Sequence, residues 1–237
     1  MDFNISNRVI VGFLLGISIF LSYFFLLDKF LLLIILFFIT YDFYKINVNN
    51  FFLLFLLIFF LLLFFVIPYT NYKYLFLFEI LLIICIFFNI RYKIEFFITS
   101  LYVFFLILFY LSLFDRNIFY TIILISFFND TTAYYVGKNI GGPAIIPKIS
   151  PNKTWSGTLI SFLLTFLLLV YLEHNILISV LISVSLFLGD LFFSYIKRYL
   201  QIKDFSSLFG DHGGLLDRLD SMFFVAIIYQ INLVVFL

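Results

Sequence analysis

From Phe51 to Ile67 the chain runs for seventeen residues without one polar side chain, and Pro68 then ends the run. A helix with no polar face offers nothing to water, so it is either sealed inside a large protein or set in lipid. Similar runs recur along the whole length. Read for helices of about 20 mostly apolar residues, the size that crosses a bilayer, the chain divides into 8–27, 30–46, 51–67, 74–90, 95–114, 117–137, 156–173, 176–197 and 220–237. Only Asp28 and Lys29 part the first two runs, which form either a tight hairpin or one span beside an interfacial helix. Of the 237 residues 65% are hydrophobic and 11% charged. A soluble domain carries about a quarter charged residues, so this chain lacks the polar side chains to cover a water-facing surface. The predicted class is all-α, a polytopic integral membrane protein of about nine transmembrane helices, forming a single domain over 1–237.

With nine spans the loops alternate between two sides. Eleven of the fourteen Lys and Arg fall on the side of the N-terminus, and Lys29, Lys73 and Arg116 on the other. The positive-inside rule reads this as a cytoplasmic N-terminus. A net charge of +1 excludes a polyanion-binding surface, so no nucleic acid partner is expected. The one cysteine, Cys85, lies in an apolar run and rules out internal disulfides and thiolate cages. The first run lacks a small-residue cleavage site and is followed by many more, so it does not read as a signal peptide. The short length without a soluble appendage points to a bacterial inner membrane.

Polar chemistry gathers in the second half. Of ten Gly only Gly12 and Gly16 precede Gly137, and of four Pro only Pro68 precedes Pro143. Residues 1–115 therefore read as plain spans, and 116–237 as the catalytic part. The longest loops, about 138–155 and 198–219, both fall on the cytoplasmic side, where irregular backbone is tolerated.

Four motifs stand out. Asn129-Asp130 sits about six residues before the end of a span, with Asp130, Tyr134 and Gly137 on one helical face. An intramembrane carboxylate is costly and is usually paired or functional; helix packing is the plainer reading. In GKNIGGPAIIPKISPNKTWSG, Gly and Pro impose turns, and Ser150, Asn152, Lys153 and Thr154 precede a new helix, a setting suited to phosphate or to ordinary capping. Asp190, Ser194, Lys197 and Arg198 form one stripe along a span. Asp190 lies about 10 Å below Lys197 at the helical rise, too far for a plain pair, which favours a metal or substrate role. Lastly, His212-Gly213-Gly214 makes an unhindered turn, and Asp217 and Asp220, three apart, share a face as the last span begins. Carboxylates with no thiolate or clustered histidine suit a hard cation such as Mg²⁺, which also binds substrate phosphates. His174, beside Glu173, reads as a solvated turn residue.

The stretch SYIKRYLQIKDFSSLFGDHGGLLDRLD, from Ser194 to Asp220, carries a closer pattern. Ser194, Ile196, Lys197-Arg198, Lys203-Asp204, Ser206, Phe209-Gly210, His212-Gly213-Gly214, Asp217-Arg218, Leu219 and Asp220 resemble, position by position, the signature of the CDP-diacylglycerol synthases, or phosphatidate cytidylyltransferases. Asp130…Ala133-Tyr134…Gly137, SPNKTWSG and Gly189-Asp190 are similar to that family too. Gly210 stands where Pro is common, and Ser156 where Glu or Gln is expected. The resemblance implies a nucleotidyl transfer: an oxygen of phosphatidic acid attacks the α-phosphorus of CTP, and pyrophosphate leaves CDP-diacylglycerol. For that reaction the chemistry of the residues supplies the roles: Asp190, Asp217, Asp220 and Lys197 are expected in catalysis, and Asp190, Asp217, Asp220 and Asp130 on Mg²⁺, with a second, monovalent cation as an option. Ser150, Lys153, Ser194, Arg198, Lys203, His212, Gly213, Gly214 and Arg218 would bind substrate. The expected partners are CTP, phosphatidic acid and membrane lipid, with a homodimer as an open option.

Three rival readings are weaker. A CTP-dependent lipid-alcohol kinase would transfer the γ-phosphate. A CDP-alcohol phosphotransferase would need a DG, AR and spaced-Asp pattern that is absent. A transporter would spread its polar residues through both halves. Because the lipid phosphate is already an anion, no strong general base is required, and His212 is expected to orient a phosphate rather than to take a proton. Accordingly, steady-state assays should find His212→Ala within a few-fold of wild type and Asp217→Asn inactive; the reverse pattern would make His212 the base.

Overall fold

The computed structural model describes residues 16–46, 48–66, 74–88, 91–208 and 213–236. Helices coincide with the apolar runs: α1 (16–24), α2 (Asp28–Lys45), α3 (Asn50–Val66), α4 (Leu75–Phe88), α5 (Lys93–Phe114), α6 (Arg116–Ile140), α7 (Trp155–Tyr171), α8 (Ile176–Tyr199), the single turn α9 (Leu216–Leu219) and α10 (Met222–Phe236). Four of them begin where a short polar side chain meets an apolar run and accepts a backbone N–H of the first turn. Asn49 takes Phe51 N–H at 3.0 Å, Asp115 takes Asn117 at 2.8 Å, Thr154 takes Gly157 at 3.2 Å and Asn175 takes Leu177 at 2.9 Å.

α5 is the axis of the bundle. Every residue from Leu101 to Phe109 is at most 2% exposed, because α2, α3, α4, α6 and α10 all pack on it. That explains a helix that is apolar on all sides. α6, α7, α8 and α10 pack in succession, α10 also returning to α5 and α6. The outward faces are apolar as well. Phe51 is 80% exposed and Phe88 85%, with Phe30, Phe37, Phe55 and Leu62 also outside. So much exposed aromatic and aliphatic surface suits lipid and not water.

Among the described residues two helices are long and apolar enough to cross a membrane, Lys93–Phe114 and Ile176–Tyr199, with mean hydropathy 2.3 and 2.4. Asn50–Leu62, Leu75–Phe88, Trp155–Tyr171 and Met222–Val235 are shorter apolar helices. The first two predicted runs are separate helices joined by a turn at 25–27; residues 8–15 of the first lie outside the described residues.

One element was not expected. The Gly/Pro-rich loop after α6 contains an antiparallel hairpin, β1 (Ala144–Ile146) and β2 (Ser150–Thr154), with Ala144 opposite Thr154 and Ile146 opposite Ser150. Its end is tied back by Trp155 N–H, which donates to the Pro143 carbonyl at 3.2 Å. Ser156 Oγ donates to the Gly141 carbonyl, so at this position the hydroxyl closes the base of the hairpin. His174 corrects another expectation. It is half-buried beside Tyr229, whose hydroxyl lies 3.3 Å from Nε2, and this burial holds its pKa below the ordinary value.

At the end of the bundle away from these loops, Asp28 opens α2 and meets Arg116 at the start of α6. Arg116 Nε donates to Oδ2 at 2.5 Å and Nη2 to Oδ1 at 3.0 Å, while Tyr120 OH also donates to Oδ1. The guanidinium lies over the rings of Tyr23 and Tyr120. Removing one partner strands the other, whereas removing both leaves nothing unpaired. Thermal unfolding in detergent should therefore show Arg116→Met well below wild type, and the Asp28→Asn/Arg116→Met double variant above Arg116→Met alone.

Candidate active site

Helices α6, α7, α8 and α9 and the hairpin converge on one cavity of about 260 Å³, lined among others by Asn129, Asp130, Lys153, Asp190, Asp217 and Asp220. Asp130 comes from α6, ten residues before the helix ends at Ile140, and Lys153 from β2. Asp190 sits well inside α8, Asp217 lies within the short α9, and Asp220 follows it directly. The carboxyl groups of Asp130, Asp190 and Asp220 lie close enough to repel one another.

Backbone contact makes this convergence possible. Gly189, next to Asp190, lies against the start of α10, where a Cβ would strike the Asp220 carbonyl oxygen and come within 3.2 Å of Ser221 Cα. With only hydrogen at that position, α8 and α10 approach until Asp190 and Asp220 face the same space. Ser221 then shares in the site, its Oγ donating to Asp130 Oδ2 at 3.3 Å and its N–H to Asp220 Oδ1 at 2.9 Å.

The lysines answer the carboxylates in a way that sequence spacing did not indicate. Asp190 pairs with Lys153, and Lys197 pairs with Asp217 at 2.8 Å. Asp217 is further held by the N–H groups of Phe205 (3.1 Å) and Gly214 (2.9 Å), so both its oxygens are engaged. Of the other predicted site residues, Arg198 turns away from the cavity, its Nε donating to the Ile149 carbonyl at 3.0 Å and so bracing the hairpin against α8. Ser150 lies in β2 and Ser194 on the flank of α8, neither lining the cavity. Lys203 and Arg218 are exposed and do not line the cavity. Gly213 and Gly214 are buried behind Asp217. His212 lies outside the described residues.

Two residues near the site were not singled out by sequence. Lys93, at the start of α5, is 8% exposed, donates to Tyr195 OH at 2.7 Å and lies over the rings of Tyr195 and Tyr199, steadying the end of α8. Asp42 on α2 is fully buried against the loop that follows α8. No local pattern marks either residue, because their partners lie more than a hundred positions away.

The donor set suits a hard cation. Four carboxylates line the cavity against Lys153, with Lys197 behind Asp217, an excess of negative charge that a divalent ion would offset. Among the described residues no three Asp, Glu, His or Cys side chains are close enough to form a ready cage. The fit is therefore to an ion that takes one or two carboxylates and completes its shell with water and substrate phosphate, as Mg²⁺ commonly does.

Fold and site together define a helical bundle with apolar outer faces and one acid-and-lysine cavity at a loop-bearing end. The chain belongs to the cytidylyltransferase family, whose sequence profile matches residues 6–236. It is similar to proteins named phosphatidate cytidylyltransferase. The one from Aquifex aeolicus (strain VF5) is 42% identical over 120 residues, covering 48% of this chain and 46% of the relative. That of Rickettsia bellii (strain RML369-C) is 41% identical over 120 residues, covering 44% and 52%, and that of Bacillus subtilis (strain 168) is 36% identical over 118 residues, covering 46% and 44%. The chain thus matches about half the length of each of these relatives.

The close approach at Gly189 is open to test. A methyl group there forces α8 and α10 apart, and overpacking of this kind costs about 1–3 kcal/mol. Gly189→Ala should lower the thermal midpoint in detergent, and cytidylyl transfer should fall further than the lost stability accounts for, because Asp190 and Asp220 separate.

Proposed function

We propose that this protein is a phosphatidate cytidylyltransferase, joining CTP and phosphatidic acid into CDP-diacylglycerol with release of pyrophosphate. The observation that carries this reading is the gathering of Asp130, Asp190 and Asp220, from α6, α8 and the start of α10, around Lys153 in one cavity of a cytidylyltransferase-family chain. The reaction brings two anions together, so the task of the site is to neutralise and align phosphates. Lys153, now on Asp190, is the cation best placed to turn to a phosphate oxygen as substrate enters. Lys197 holds Asp217 in place. Lys203 and Arg218, both exposed, draw in the charged headgroup and the triphosphate, while Arg198 holds the hairpin that carries Lys153. Ser150, Ser194, His212, Gly213 and Gly214 are the further substrate-binding residues of this reading, with the Gly214 N–H serving through Asp217, to which it donates. Asp190 and Asp220, with Asp130 and with Asp217 behind them, are the residues that would hold Mg²⁺, which when bound offsets charge on the phosphates; a second, monovalent cation belongs to the same reading. In this reading residues 1–237 act as one domain of about nine membrane-crossing helices, in a bacterial inner membrane. The N-terminus and the site loops face the cytoplasm, and two copies associate in the membrane.

The decisive experiment supplies purified full-length protein with phosphatidic acid, Mg²⁺ and CTP labelled at either the α- or the γ-phosphate. Label from the α position should enter the lipid, and label from γ should leave as pyrophosphate. Transfer of γ label to lipid would make the protein a CTP-dependent kinase, and no labelled lipid from folded protein would overturn the reading. Asp190→Asn should reduce α-label transfer by at least about a hundredfold, the scale of lost electrostatic stabilisation at a reacting centre.

A further inference from the structure

Asp42 is a fully buried carboxylate in the N-terminal half, three residues before the end of α2 and 0% exposed. Among the described residues it has no basic partner within ion-pair distance. Its oxygens instead hold distant chain. Ser206 Oγ donates to Oδ1 at 2.6 Å and Leu216 N–H to Oδ2 at 3.0 Å, contacts that span 164 and 174 positions.

The surroundings are shaped for this reach. Gly214 leaves the space, since a Cβ there would strike the Asp42 carboxyl group and come within 2.7 Å of Ser206 Oγ. Phe43, the next residue of α2, meets the ring of Phe205 edge-on at 6.4 Å. The same two short segments also hold Asp217, through Phe205 N–H and Gly214 N–H. Donors for the two carboxylates thus alternate along the chain: Phe205 to Asp217, Ser206 to Asp42, Gly214 to Asp217 and Leu216 to Asp42. An ionised carboxylate is an acceptor at both oxygens, and Asp42 uses one oxygen for each side of the loop.

We propose that Asp42 is a positioning residue. From α2 it holds Phe205–Ser206 against Gly214–Leu216, so that Asp217 and Asp220 face the cavity, and it ties the N-terminal helices to the catalytic half. The enzymatic part of this proposal rests on the cytidylyltransferase reading; the structural part does not.

The test compares full-length wild type, Asp42→Ala and Asp42→Asn in detergent by amide hydrogen exchange and by CTP kinetics. In Asp42→Ala the amides of Phe205, Gly214 and Leu216 should exchange at least about tenfold faster while those of α5 stay protected, the mark of a local opening. In the same variant kcat/KM for CTP should fall at least about tenfold, as expected when a buried donor loses its acceptor. Asp42→Asn can turn Oδ1 to Leu216 N–H and its amide to Ser206 Oγ, and should restore most of both. The proposal is overturned if Asp42→Ala matches wild type within about twofold in exchange and kinetics. It is equally overturned if both variants lose protection throughout α5, since Asp42 would then be a general support of the fold. Should wild type transfer no label to lipid, the reaction falls, and the exchange data alone decide on Asp42.

Discussion

A carboxylate carried into an apolar bundle has to be met by a donor, because water is absent there and an unmatched charge costs several kcal/mol. Much of this molecule is arranged by that constraint. Asp28 takes Arg116 and Tyr120 at one end. Asp42 and Asp217 share the N–H and hydroxyl groups of one loop, and Asp217 takes Lys197 besides. Asp190 takes Lys153 from the hairpin. Among the described residues Glu79 on α4 departs from this, with neither oxygen partnered. Asp130, Asp190 and Asp220 repel one another across the cavity and, among the described residues, have one lysine in direct contact, Lys153 on Asp190, so this is where added positive charge gains most.

Aromatic packing turns that arrangement into a fixed one. Phe205, 2% exposed, sits among Phe43 of α2, Phe97 of α5 and Phe193 of α8, with ring centroids 5.9–6.4 Å apart. Lys197 Nζ lies 5.7 Å from the same ring. The loop is therefore nailed to the core one residue before Ser206 reaches Asp42. Ring packing of this kind adds about 0.5–1.5 kcal/mol per pair beyond area burial, enough to hold a short irregular segment in register with the helices on either side. Gly189 contributes the complementary device, an absence of side chain that lets two helices meet at their backbones.

Much of this was legible before the fold. Apolar runs mark helices well because a side chain pattern with no polar break leaves few alternatives, and the helix starts at Asn49, Asp115, Thr154 and Asn175 are local capping events. Asp130, Lys153, Asp190, Asp217 and Asp220 all line the cavity. The hairpin was missed because Gly and Pro in its turns read equally well as irregular loop. Asp42 and Lys93 were missed because each stands near other polar residues at the end of a predicted span, where charge is ordinary, and their partners at Ser206, Leu216 and Tyr195 leave no spacing to read.

What the sequence by itself determined is the class of molecule and the identity of its chemical groups. Sixty-five per cent hydrophobic residues compel an apolar exterior, and the only chemistry left is a short list of acids, lysines and glycines. Only the tertiary structure decided which lysine faces which carboxylate. Spacing along one helix set Asp190 too far from Lys197 to pair and named no other partner; the close approach of α8 and α10 at Gly189, and the hairpin reaching α8, gave Asp190 to Lys153 and Lys197 to Asp217. Charge pairing in a bundle follows the nearest neighbour in space, and helix packing, not chain order, sets that neighbour.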